Sequence, residues 1–146
     1  MFVTVWLDIL TLSTGILVAA NAGHEYPAMR LGKEGFRINP GRHGLIMGIM
    51  EGIPYREESW RLLPGSSIFL YTDGITEATD AEENMFTKER LARVLGEIEA
   101  ESTPEMITQR VYTAVKDFVG SAPQFDDMTM LVLNYQGGGE ILLSGD

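Results

Sequence analysis

The residues best suited to chemistry are carboxylates at the ends of apolar runs. In Ser67-Ile68-Phe69-Leu70-Tyr71-Thr72-Asp73-Gly74-Ile75-Thr76-Glu77, a run of buried-strand type delivers Asp73 at its exit, and Gly74 turns the chain at once. Far downstream, Phe125-Asp126-Asp127-Met128-Thr129-Met130-Leu131-Val132-Leu133 sets two acids at the entrance to another such run. If the runs lie side by side and antiparallel, exit and entrance meet at one end of a sheet. Asp73 would then face Asp126 with no long loop between either acid and the sheet. Carboxylates and water, held rigidly, form the all-oxygen site that hard cations such as Mg2+ and Mn2+ prefer.

Each piece alone has a plainer reading. Most Asp-Gly pairs are turns, and Asp126-Asp127 reads equally as a helix cap or a surface turn. Two acids at two strand ends, taken together, favour the metal. Thr129 could support a neighbouring carboxylate by hydrogen bonding. Glu77 either reaches metal-bound water or caps the turn. His24, in Asn21-Ala22-Gly23-His24, is a candidate general acid or ligand, and also an ordinary turn histidine bonded to nearby backbone. His43, in a glycine-rich stretch with no partner in view, is assigned nothing, and Asp8, inside a strand pattern, could point at solvent.

The elements that must position these acids are legible from periodicity. Residues 2–10 and 15–21 are apolar runs joined at Leu12-Ser13-Thr14-Gly15, which predicts a β-hairpin. Asn21 to Pro27 breaks the second strand, and Ala28-Met29-Arg30-Leu31 resumes it. Gly32-Lys33-Glu34-Gly35 predicts another hairpin turn, into Phe36-Arg37-Ile38. Residues 39–54, dense in glycine, predict a loop packed against the body as a flap. A half-polar strand over 55–62, the turn Pro64-Gly65 and the Asp73 strand follow. From Thr87, as N-cap, Leu91, Val94, Leu95 and Ile98 recur at helical spacing. Ser102-Thr103-Pro104-Glu105 is a capping box that opens a second amphipathic helix, through Ile107, Val111, Val115 and Phe118 to Gly120. The last strand covers 128–135, and 136–146 reads as a flexible tail. Strands, two helices, then a returning strand predict an α+β fold, with helices segregated on a mainly antiparallel sheet and another face or edge left wanting a partner.

Composition narrows the function. At 146 residues, 45% hydrophobic and 22% charged, the chain has the profile of one soluble globular domain. A net charge of -10 leaves no basic stripe, which excludes a nucleic-acid partner. Without cysteine there is no disulfide framework, zinc-thiolate site or thiol nucleophile, which suits a cytoplasmic setting. The apolar start lacks a basic region, carries Asp8 and is too short to span a bilayer, so no membrane association is expected. Its buried-strand character implies a preceding segment. Neither a phosphate-cradling glycine loop nor a nucleophile elbow occurs, so the chemistry that remains is metal-activated water.

Asn21-Ala22-Gly23-His24, Tyr71-Thr72-Asp73-Gly74-Ile75-Thr76-Glu77-Ala78 and Phe125-Asp126-Asp127-Met128-Thr129 occur in the order and spacing of one family. The chain resembles the bacterial stage-II-sporulation-E/sigma-regulator branch of the metal-dependent PP2C-type (PPM) serine/threonine phosphatases, as far as about Asn134. That resemblance implies an αββα sandwich with a two-metal Mn2+ or Mg2+ site between the sheets. It also implies a phosphoprotein substrate, often a small anti-sigma-factor antagonist in a partner-switching pathway. By position, Asp73 and Asp126 become ligands of one ion, Gly74 the tight turn, and Glu77, Asp127 and Thr129 a supporting shell. His24 is a motif residue that does not ligate. The family's first metal motif, an Asp followed by small and Gly residues leading into a helix, is absent from these residues. It would lie upstream of Met1, so residues 1–135 correspond to the C-terminal portion of the domain, through truncation, a short gene model or a natural remnant. At most one weak metal site and little or no activity are then expected. The competing class is a non-catalytic interaction module that dimerises or exchanges strands through its exposed sheet face. An unrelated small β-rich binding domain would require the three motifs to coincide by chance.

Overall fold

The computed structural model describes residues 2–38, 44–124 and 126–138. His43 and Phe125 lie outside the described residues, as does 139–146 of the expected tail.

Among the described residues seven strands form two antiparallel sheets. The first sheet orders β1 (Val5–Thr11), β2 (Ile16–Ala22) and β5 (Glu57–Arg61) as β1-β2-β5. The second orders β4 (Arg37–Ile38), β3 (Ala28–Arg30), β6 (Ser66–Tyr71) and β7 (Met130–Tyr135) as β4-β3-β6-β7. Both predicted hairpins form: Thr11 pairs with Ile16, and Ala28 with Ile38. Positive φ at Gly15 is accompanied by close approach, since a Cβ there would lie 2.3 Å from the Leu62 carbonyl.

The strand period of two sorts side chains between two cores. Ile68 of β6 faces the first sheet, where it clusters with Leu17, Met29, Leu62 and Tyr135. Phe69 and Tyr71, of opposite parity, join Leu91, Leu95, Ile107, Val111 and Val115 from α2 (Thr87–Gly96) and α3 (Pro104–Val119). Strand β6 is therefore covered on both faces, which accounts for the apolar run over 68–71. Strand β1 alternates instead: Trp6 and Leu10 pack inward, while Leu7 and Ile9 are 62% and 68% exposed. The buried-strand character read from its apolar run therefore holds for one face only. Asp8 shares the inward parity of Trp6 and Leu10, and its carboxylate accepts a 2.8 Å bond from Trp6 Nε1.

Two capping expectations shift by a residue. Phe86, not Thr87, occupies the N-cap of α2, and Thr87 is its first helical residue, with φ 69°. Thr103 rather than Ser102 caps α3, its hydroxyl accepting from Met106 N at 3.3 Å, with Pro104 at the first helical position. Gly120, at φ 60°, closes α3 as expected. The layers are the three-stranded sheet, the four-stranded sheet and the helices, so the fold is α+β. Among the described residues no helix covers the outer face of the three-stranded sheet. Residues 136–138 pass close to neighbours: a Cβ on Gly138 would lie 2.8 Å from the Leu12 carbonyl. No helix among the described residues is long and apolar enough to cross a membrane.

Candidate metal centre

Strand β6 ends at Tyr71, paired antiparallel with Met130 at the start of β7. Exit and entrance therefore share one end of the four-stranded sheet. One residue sews the two segments together beyond the ladder. Thr72 N donates to Thr129 O at 3.1 Å, the Thr72 hydroxyl donates to Asp127 O at 3.1 Å, and the same hydroxyl accepts from Thr129 N at 3.0 Å. Sequence reasoning passed over Thr72. Its signal was a hydroxyl immediately before the acid, where a strand stops supplying ladder bonds.

Asp73 does not simply leave the strand for a turn. It opens a short helical segment, α1 (Asp73–Thr76), and its Oδ1 accepts from Gly74 N at 3.0 Å. Gly74 is needed for a different reason from the one its sequence position implies. A Cβ there would lie 2.4 Å from Asp127 O, so the two segments can approach this closely only if residue 74 has no side chain. Thr76 Oγ1 and Glu77 N both donate to the Asp73 carbonyl, fixing the turn from below.

Asp126 is held by its own local loop. Its Oδ1 accepts from Asp127 N at 2.7 Å, and its carbonyl accepts from Gln124 Nε2 at 2.8 Å. Asp73, Glu77, Asp126 and Asp127 are all solvent-exposed. Glu77 and Asp126 line one small cavity of about 30 Å³ with Gly74, Thr79 and Lys116. Lys116 was not a candidate from sequence, because a lysine in the last turn of an amphipathic helix reads as solvated surface; only the packing of α3 brings it here. Thr129 contributes its backbone N–H and carbonyl to the assembly, rather than the side-chain bond its type suggested.

His24 sits in a self-contained turn. Asn21 Oδ1 accepts from His24 N at 2.8 Å, and Asn21 Nδ2 donates to His24 O at 2.9 Å, while the His24 ring lies 3.5 Å from Thr4 Oγ1. The turn is covered by the 44–50 segment, where Gly44 N donates to Asn21 O and Val3 and Met47 exchange backbone bonds. Next along the chain, Glu25 pairs with Lys88 of α2 at 2.7 Å. Burial raises the Tyr71 phenol far above its usual range, and the Glu25 charge adds to the effect. Tyr71 therefore stays protonated at any ordinary pH.

The donor chemistry suits a hard divalent cation: exposed carboxylates of separate segments, braced by backbone bonds, with only oxygen on offer. The number falls short of a closed site, since no group of three His, Cys, Asp or Glu gathers to hold a metal among the described residues.

Structural neighbours define the class. The phosphatase domain of Bacillus subtilis SpoIIE, in a crystal form without domain swapping, superposes with TM-score 0.70 at 21% identity, covering 98% of this chain and 60% of that one. The SiaA-PP2C domain of Pseudomonas aeruginosa gives 0.66 at 25% identity, covering 84% and 47%. The fold is that of PP2C-type phosphatase domains. The family model for stage II sporulation protein E (SpoIIE) matches residues 1–136, and the chain belongs to that family. Among curated relatives, it is 29% identical over 133 residues to protein IcfG of Synechocystis and 26% identical over 136 residues to the phosphoserine phosphatase RsbU of B. subtilis. The match takes in 91% of this chain each time but only 20% of IcfG and 39% of RsbU.

Proposed function

We propose that residues 1–135 are the C-terminal portion of a metal-dependent protein serine/threonine phosphatase domain, with Asp73 and Asp126 as ligands of one Mn2+ or Mg2+ ion. The observation that carries this is the antiparallel pairing of β6 with β7, stitched by Thr72, which brings the two acids to one sheet end. When bound, such an ion acts as a Lewis acid that activates water toward a phosphoester. The chain's own residues hold the acids in place. Gly74 permits the close approach, Thr72 and Thr129 lock it, Asp127 belongs to the same braced segment, and Glu77 stands beside Asp126. Two nearby carboxylates repel until a cation arrives, so a rigid backbone is what keeps them poised. His24 shapes the neighbouring turn and takes no part in ligation.

The substrate class is a phosphoserine or phosphothreonine protein, such as an anti-sigma-factor antagonist. Its support is family membership and the kinship with RsbU. With no group of three acids gathered among the described residues, this chain alone binds one ion weakly and turns over little or nothing. Hydrolysis of p-nitrophenyl phosphate with Mn2+ tests this. Background rates are expected, whereas robust turnover lost in Asp73→Asn would show that the site is complete without further residues.

A second reading is favoured by the first sheet. Leu7, Ile9 and Ile16 lie exposed on its outer face, and an apolar surface of this kind is a docking surface for protein. The chain would then act as an interaction module, pairing with a second copy through this face or by strand exchange. Light scattering over a wide concentration range distinguishes the two, because a persistent monomer contradicts self-association.

A further inference from the structure

Lys116 is the one cation among the described residues that line the cavity beside Asp126, where Glu77 and Asp126 are the acids. It stands in the last turn of α3, and Gly120 N donates to its carbonyl at 2.9 Å. The neighbouring Val115 is fully buried in the core, which fixes the rotation of the helix and so the side on which Lys116 emerges. Other helix cations are committed: Lys88 pairs with Glu25 and Arg110 with Glu97, while Arg90 stacks on Phe118. Lys116 is exposed and forms no ion pair among the described residues.

A lysine in a last turn complements the helix dipole. That role needs no particular side of the helix, yet Lys116 lies on the side that meets Asp126. A cavity of about 30 Å³ holds a water or two. Charges around so small a space lie within the Debye length, about 10 Å at 0.1 M salt. Val119, Pro123 and Met128 add apolar wall, which screens less than water does. The charge on Lys116 therefore acts on the acids in two opposed ways. Without a metal it offsets their mutual repulsion; with a divalent ion on Asp126 it repels that ion.

We propose that Lys116 is a resident counter-charge that stabilises the metal-free carboxylates and thereby lowers the affinity of the site for its divalent ion. The inference rests on the reading of Asp73 and Asp126 as metal ligands. Occupancy is then set by competition between a tethered ammonium and a free dication.

Mn2+ binding, followed by loss of the free EPR signal at about 10 mM ionic strength, where the Debye length is about 30 Å, tests this. Lys116→Met keeps the side-chain stem and removes the charge. Its Kd should fall about two- to fivefold, the factor for a unit charge roughly 8 Å from a dication in water. Lys116→Glu should tighten binding further. Lys33→Met makes the same change in net charge at the other end of β6 and should move Kd much less. In EDTA, Lys116→Met should melt below the wild type, and saturating Mn2+ should narrow the gap, because the tighter binder gains more from the ion. A purely structural lysine would leave that gap unchanged. An unchanged Kd in folded Lys116→Met, or equal tightening in Lys33→Met, would overturn the inference and leave the metal site standing. Binding by Lys116→Glu where the wild type shows none would uphold the counter-charge; binding by neither would overturn it together with the metal reading.

Discussion

Strands β6 and β1 sit in facing sheets of the same sandwich, yet they live in different environments. Strand β6 is enclosed between the first sheet and the helices, with five of its six residues buried. Strand β1 is covered on its inner face only and leaves Leu7 and Ile9 in solvent. The acid proposed to work, Asp73, hangs from the enclosed strand; the surface proposed to associate lies on the open one. Rigidity and adhesion are thus assigned to different sheets. A carboxylate fixed by a doubly covered strand has little freedom to relax away from its neighbour, which is what a site of repelling charges requires.

Truncation separates the two environments most sharply. Phe69→Ala, at a fully buried position, should cost about 3–5 kcal/mol, a large part of a domain's total stability. Leu7→Ala on the open face should stay within about 0.5 kcal/mol. Urea denaturation of both variants measures the contrast, and comparable losses would mean that β1 is covered in solution.

A smaller effect probes the joint between β6 and β7. Gly74→Ala drives a methyl into the Asp127 carbonyl. The Asp127 segment must move, at about 1–3 kcal/mol by analogy with overpacked cores. Chemical-shift changes should centre on 126–129 and leave β1 and β2 silent. Smaller again is Thr72→Val, which keeps the shape and removes a hydroxyl that both donates and accepts, for about 0.5–1.5 kcal/mol. Thr72→Ser should restore most of that loss.

The smallest effect is local and depends on pH. Asn84, through its side chain and then its backbone N–H, holds the Asp80 carboxyl below the usual carboxylate range, and Glu82 N adds to this. A depressed folded pKa contributes stability that is full above the ordinary carboxylate pKa and is lost as pH falls through the folded value. Amide exchange at Glu82 and Asn84 should therefore quicken on acidification relative to the base-catalysed trend, and Asp80→Asn should abolish that pH dependence.

Much of this arrangement was legible in the sequence because it follows from period and punctuation. The apolar runs of β1 and β6, the helical spacing of Leu91, Val94, Leu95 and Ile98, and the glycine and proline stops give the elements and their order; that β1 is covered on one face only was not among them. What was not legible depends on which elements meet. A linear reading brings the Asp73 and Asp126 segments to one sheet end but not how closely their backbones pass, so Gly74 looks like a turn residue when it is needed for clearance against Asp127. Lys116 gains its place only through the packing of α3. Arg30 is harder still, since an arginine in a three-residue strand is expected at the surface, and only the α2–α3 connection with Glu99 and Ser102 encloses it.

The central claim is that Asp73 and Asp126 share one divalent ion, and titration with Mn2+, followed by the loss of its free EPR signal, tests it most directly. The account predicts weak, saturable binding of a single ion, lost in Asp73→Asn and equally in Asp126→Asn while both variants melt cooperatively. Binding that survives unchanged in either folded variant would contradict it.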